Sequence, residues 1–76
     1  MLKIIDSYGG LAELYKPSIT EALTTYATVM SGYAQVADMS VSYHNGQAIA
    51  ATVTTSNHKA FVFVRQADGT WAVTQY

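Results

Sequence analysis

Apolar residues recur at helical spacing in one part of the chain and alternate in another. Ile19, Ala22, Leu23, Tyr26, Ala27 and Met30 stand at i, i+3, i+4, i+7, i+8 and i+11, which is one face of an α-helix. Thr20, Thr24, Thr25 and Thr28 fall on the opposite side. Ser18 and Glu21 form a capping-box pattern, with the Ser18 hydroxyl placed to accept from the Glu21 backbone N–H. Pro17 blocks helix propagation from upstream, and Gly32 offers the left-handed residue that ends it. Threonine is a mediocre helix former, so this helix depends on packing its apolar face.

Upstream, Leu2, Ile4 and Ile5 suggest a short strand or an extended lead-in, broken by Gly9-Gly10. Residues 11–16 predict one or two helical turns, with Leu11, Leu14 and Tyr15 on one side. Downstream of Gly32 the pattern alternates and is rich in Val, Thr, Phe, Tyr and Trp. Turn signals at Asn45-Gly46, Ser56-Asn57 and Asp68-Gly69 divide it into strands near 36–44, 47–55, 59–67 and 70–76. Short loops between sequential strands imply an antiparallel meander. The expected fold is α+β, in a single domain over residues 1–76. An N-terminal helix (or two, broken near Pro17) packs on one face of a four-stranded antiparallel β-meander. In element order this layout resembles cystatin-like and nuclear-transport-factor-like folds.

Side-chain parity sets the register. Met39, Val41 and Tyr43 are the apolar set of the first meander strand, and Ile49, Ala51 and Val53 that of the second. A plain two-residue Asn45-Gly46 loop puts these sets on different faces. A type I turn with a G1 bulge at Gly46 pairs Tyr43 with Gln47 and Val41 with Ile49, which reunites them. Phe61, Phe63, Trp71 and Val73 are assigned to the helix-covered core because aromatics bury the most area per residue.

One helix covers only one face of such a sheet. The other face holds Ser40, Ser42, Ala48, Ala50, Thr52, Thr54, Ala72, Thr74 and either Val62 and Val64 or Phe61 and Phe63, with almost no charge. A water-facing sheet normally alternates to strongly polar residues, so this surface is a candidate contact face. The competing reading covers it with residues 1–16, folded back as a strand or a helical turn.

Composition sharpens this picture. The chain has 76 residues, no cysteine, a net charge of −1 and only 12% charged residues. A core of this size nets only about 3–5 kcal/mol, and small domains often add a staple. Without cysteine neither a disulfide nor a thiolate metal site is possible, which leaves association with a copy or a partner. Four Lys and Arg in all make no basic stripe, so nucleic acid is not expected as a partner. No apolar run reaches the roughly 20 residues that span a bilayer, and no signal peptide is recognisable, so no membrane partner and cytoplasmic residence are expected.

Candidate chemistry is sparse. His44 and His58 lie in turns at opposite ends of the meander, too far apart to ligate one metal within a monomer. Asp38 near His58 would be the minimum of a base dyad, yet no nucleophile accompanies it. Gly9-Gly10 lacks the remainder of a phosphate-loop pattern. No catalytic residue, metal or cofactor is therefore expected. Six tyrosines and Trp71 are many for this length, and such residues are enriched at interfaces. Tyr8, Tyr15, Tyr33 and Tyr76 join the open-face residues as candidates for partner binding.

The expected function is a non-enzymatic interaction module. It associates with itself, binds a larger protein, or both, and its size suits an accessory or inhibitory protein of a bacterium or phage. The alternatives are a structural subunit of an assembly and a binder of a small apolar ligand. In the last case a meander curved around its helix encloses a cavity lined by Tyr26, Met30, Tyr43, Phe63 and Trp71.

Overall fold

A computed structural model describes residues 1–76. The elements run β1 (Leu2–Ile5), β2 (Leu11–Leu14), α1 (Ile19–Met30), β3 (Val36–His44), β4 (Gln47–Thr55), β5 (Ala60–Arg65) and β6 (Trp71–Gln75). All six strands share one sheet in the order β2-β1-β6-β5-β4-β3. Neighbours are antiparallel except β1 and β6, which run parallel through Ile4↔Trp71 and Ile5↔Ala72. This overturns the four-stranded antiparallel meander with an N-terminal helix. The sheet is six-stranded and mixed, and its single helix is the third element. The likeness in element order to cystatin-like and nuclear-transport-factor-like folds rested on a leading helix and falls with it.

The correction originates in residues 1–16. Residues 11–14 form strand β2 rather than helical turns. A helix of one or two turns is marginal alone in water, whereas a hairpin docked on a sheet edge finds partners for its backbone groups. Asp6 organises that hairpin. Its Oδ1 accepts from the backbone N–H of Tyr8 at 2.9 Å and of Gly10 at 2.8 Å. Its own N–H donates to the Gly10 carbonyl at 3.0 Å. Leu2 and Ile4 of β1 and Ala12 and Leu14 of β2 then face the helix side, where Ile4 is fully buried.

The helix begins as its cap specifies. Ser18 Oγ accepts from the Glu21 N–H at 3.2 Å, and the Glu21 charge suits the helix N-terminus. Ala22, Leu23, Tyr26 and Ala27 are buried, while Ile19 and Met30 at the two ends of the stripe stay exposed. At the C-terminus Gly32 (φ 81°) and Tyr33 (φ 67°) are both left-handed. The Tyr33 N–H closes on the Thr28 carbonyl at 2.7 Å. Opposite the helix, the inner face of the sheet contributes Ala48, Ala51, Val53, Phe61, Phe63, Trp71 and Val73 to one core. The Tyr26 ring stands edge-on to Phe63 and Phe61, with centroids 5.8 and 6.3 Å away. No buried side-chain nitrogen or oxygen lacks a partner.

Hairpin chemistry sets every antiparallel register. The β1–β2, β4–β5 and β5–β6 loops each have three residues and end in a left-handed one, Gly9 (φ 84°), His58 (φ 66°) and Gly69 (φ 88°). This is the type I turn with G1 bulge. The β3–β4 loop differs from expectation. Asn45 (φ 50°) and Gly46 (φ 79°) form a two-residue loop of the primed type, closed by His44↔Gln47. The pairs are Tyr43↔Ala48 and Val41↔Ala51, not Tyr43–Gln47 and Val41–Ile49. The register shift lies one step beyond the turn, where Ile49 is the extra residue between Ala48 and Ala50. A bulge still brings Val41, Ala51 and Val53 to one face, but it acts within β4 and turns Ile49 out.

A polar bracket joins the helix end to the β4–β5 hairpin. Asn57 Nδ2 donates to the Ser31 carbonyl at 2.7 Å, and Asn57 Oδ1 accepts from the buried Thr55 hydroxyl at 2.6 Å. The chain separation across the first bond is 26 residues, so it pins α1 over the sheet.

Candidate functional site

The face of the sheet opposite α1 carries no covering element. Residues 1–16 do not fold across it. They lengthen it sideways through β1 and β2, so the open face spans six strands.

The registers align one row of side chains across the whole sheet: Leu11, Ile5, Ala72, Val64, Ala50 and Ser42. Five of the six are apolar, and Leu11 and Val64 are 56% and 50% exposed. The next row is Thr74, Val62, Thr52 and Ser40, and beyond it lie Ala60, Thr54 and Asp38. The charges on this face stand toward its margins, Lys3↔Glu13 on β1 and β2 and Asp38 on β3. Between them β4, β5 and β6 present only Ala, Val and Thr along the two main rows. The surface is broad, short-chained and uncharged at its centre.

Of the residues expected on this face, Ser40, Ser42, Ala50, Thr52, Thr54 and Thr74 lie on it. Ala48 does not. The Ile49 bulge reverses the parity of β4 at that point, and Ala48 is buried in the helix-side core. Leu11, Ile5, Val62 and Val64 complete the face. Leu11 was missed because residues 11–16 read as helical turns, and Ile5 because nothing local signals the parallel pairing of its strand with β6.

The four singled-out tyrosines are all strongly exposed. Tyr8 in the β1–β2 loop, Tyr33 after α1 and Tyr76 after β6 gather at the end of the sheet where α1 terminates. Tyr15, which follows β2, is at the other end. The tyrosines therefore rim the sheet rather than line its open face.

The five residues of the ligand reading are not brought around one cavity. Phe63 and Trp71 are packed solid in the core, while Tyr43, at 63% exposure, lies at its margin. Tyr26 and Met30 border a cleft of about 90 Å³ beside Asp6 and Tyr8. Tyr43 borders a separate open depression of about 410 Å³ near the start of α1, with Arg65 and Ile19. Burial pushes the Tyr26 hydroxyl above its ordinary range, and the nearby Asp6 charge adds to this. Asp68 goes the other way, since its carboxylate accepts from the Thr70 hydroxyl at 2.6 Å and the Thr70 N–H at 3.0 Å. His44 ends β3 and His58 lies in the β4–β5 loop, at opposite ends of β4. No helix is long and apolar enough to cross a membrane. No family model matches this sequence, and no curated protein or solved structure matches it.

Proposed function

We propose that this chain is a non-enzymatic interaction module whose open sheet face docks on the surface of another protein. The observation that carries the proposal is the row from Leu11 to Ala50, which lays apolar side chains across five adjoining strands with no charge among them. In water such a row leaves apolar area hydrated, and burying it against a partner releases that water at about 25 cal/mol per Å². Six strands about 4.8 Å apart and roughly five residues long present a face of about 500 Å². Two such surfaces in contact bury about 1,000 Å², the low end for a specific interface. The exposed tyrosines at the rim supply further contact area.

A comparative capture experiment tests this. Wild-type protein and Val64→Glu serve as baits in an extract of the native host, with retained proteins identified by mass spectrometry. Val64 is half exposed, so the variant keeps its fold, checked by circular dichroism. The proposal expects a protein retained by wild type and lost with the variant. Identical retention by both baits refutes it.

A further inference from the structure

The sheet has two free edges, and they differ. β2 ends one side with four residues, whereas β3 ends the other with nine. A long edge offers a row of unpaired backbone N–H and C=O groups, and proteins usually blunt it with Pro, Lys or a bulge. β3 has no Pro and no Lys, and its bulge at Ala37 lies near its start. From Asp38 to His44 the strand advances one residue at a time, because the second irregularity belongs to Ile49 on β4. That regular stretch is centred on Val41.

We propose that two copies of this chain pair through β3, antiparallel and about a two-fold axis at Val41, joining their sheets into one of twelve strands. The sequence of β3 is complementary to itself in this register. Val41 meets Val41 of the copy, Met39 meets Tyr43, and Ser40 meets Ser42. Apolar side chains thus meet on the helix side and serines on the open side. At each end Asp38 meets His44, a carboxylate against an imidazole, twice by symmetry. Sliding the copy by two residues either way loses this pairing, setting His44 against Ser40 or Asp38 against Ser42. The pairing also covers Met39, Val41 and Tyr43, which are half-buried or exposed at the margin of the core. It stands independently of the open-face proposal, although it doubles the platform that face offers, from about 500 to about 1,000 Å².

The test uses the absence of cysteine from the chain. Opposed residues in an antiparallel pair have Cα atoms about 4.5–5.5 Å apart, within the span of a disulfide. Val41→Cys should form a disulfide-linked dimer under mild oxidation, while Ser40→Cys, which faces Ser42 of the copy, should not. His44→Asp sets two carboxylates against each other at both ends and should weaken association roughly tenfold in sedimentation equilibrium. Adding Asp38→Lys to His44→Asp restores opposite charges and should recover it. Both positions are exposed, so the fold is retained and Trp71 fluorescence verifies it. A wild-type protein that stays monomeric at several hundred micromolar overturns the proposal. So does cross-linking at Ser40 in place of Val41, or a double variant no better than His44→Asp alone. Val64→Glu lies away from β3 and should leave the dimer intact, which separates this pairing from the open face.

Discussion

Replacing Asn57 by alanine should cost far more stability than its exposed position suggests. The side chain makes two bonds at once, donating to the Ser31 carbonyl at 2.7 Å and accepting from the Thr55 hydroxyl at 2.6 Å. Each is worth about 1 kcal/mol net, and both Ser31 and Thr55 are buried residues, so the groups left behind are poorly hydrated. The Thr55 hydroxyl retains only two long contacts with Lys59, donating to its carbonyl at 3.4 Å and accepting from its N–H at 3.3 Å. Asn57→Ala should therefore lose about 2 kcal/mol. At about 4–8 °C per kcal/mol for a domain of this size, Tm should fall by roughly 8–16 °C. Thr55→Val keeps the shape, removes the second bond together with the two long Lys59 contacts, and should lose about 1 kcal/mol. Beyond what Asn57→Ala already loses, the double variant gives up only the long Lys59 contacts at 3.3 and 3.4 Å. Its cost should stay near 2 rather than 3 kcal/mol, a coupling of about 1 kcal/mol. Urea unfolding followed by Trp71 fluorescence, with circular dichroism alongside, measures all three. Additive costs, or an Asn57→Ala cost below about 0.5 kcal/mol, would show that the bracket does not hold the helix end.

Two further outcomes follow from the hairpin loops. Asp6→Ala removes the acceptor for the Tyr8 and Gly10 N–H groups and should lower stability by about 1–2 kcal/mol, with hydrogen exchange rising first in β1 and β2. Gly10→Ala should mimic it, because an added Cβ would lie 2.7 Å from Asp6 Oδ2; unchanged exchange in either variant would contradict this account. Asp68 is held below its ordinary range by Thr70, so its contribution is fully present above the ordinary aspartate range and fades as pH falls through the depressed value. Asp68→Asn should thus flatten the acid limb of a stability–pH curve below about pH 4, and an unaltered limb would refute that assignment.

The sequence disclosed the helix and most of the long strands because their signals are local. Ser18, Glu21 and the apolar stripe require nothing beyond one segment, and residues 36–44 and 47–55 are strands in the structure as in the pattern. What stayed hidden depends on distant partners. Leu11, Ala12, Glu13 and Leu14 are comfortable in a helix, and only pairing with β1 makes them a strand. Nothing in Leu2 to Ile5 states that β6, some 67 residues onward, receives it in parallel. The Asn45-Gly46 turn was visible, but whether the correcting bulge sat in the loop or at Ile49 depends on how Ala48 packs beneath the helix. The open face was legible as a lack of charge. Its full width, including Leu11 and Ile5, emerged only with the two added strands.

The parallel seam between the first and last strands has a kinetic consequence. Ile4 and Trp71 lie side by side there, and both are almost wholly buried. A ribosome must therefore deliver β6 before β1 finds its seat. Until then the leading hairpin waits without a lodging and the final strand has an unguarded flank. Closure of this join, between residues 67 apart, sets a late step in folding, and the indole beside Ile4 is placed to report it.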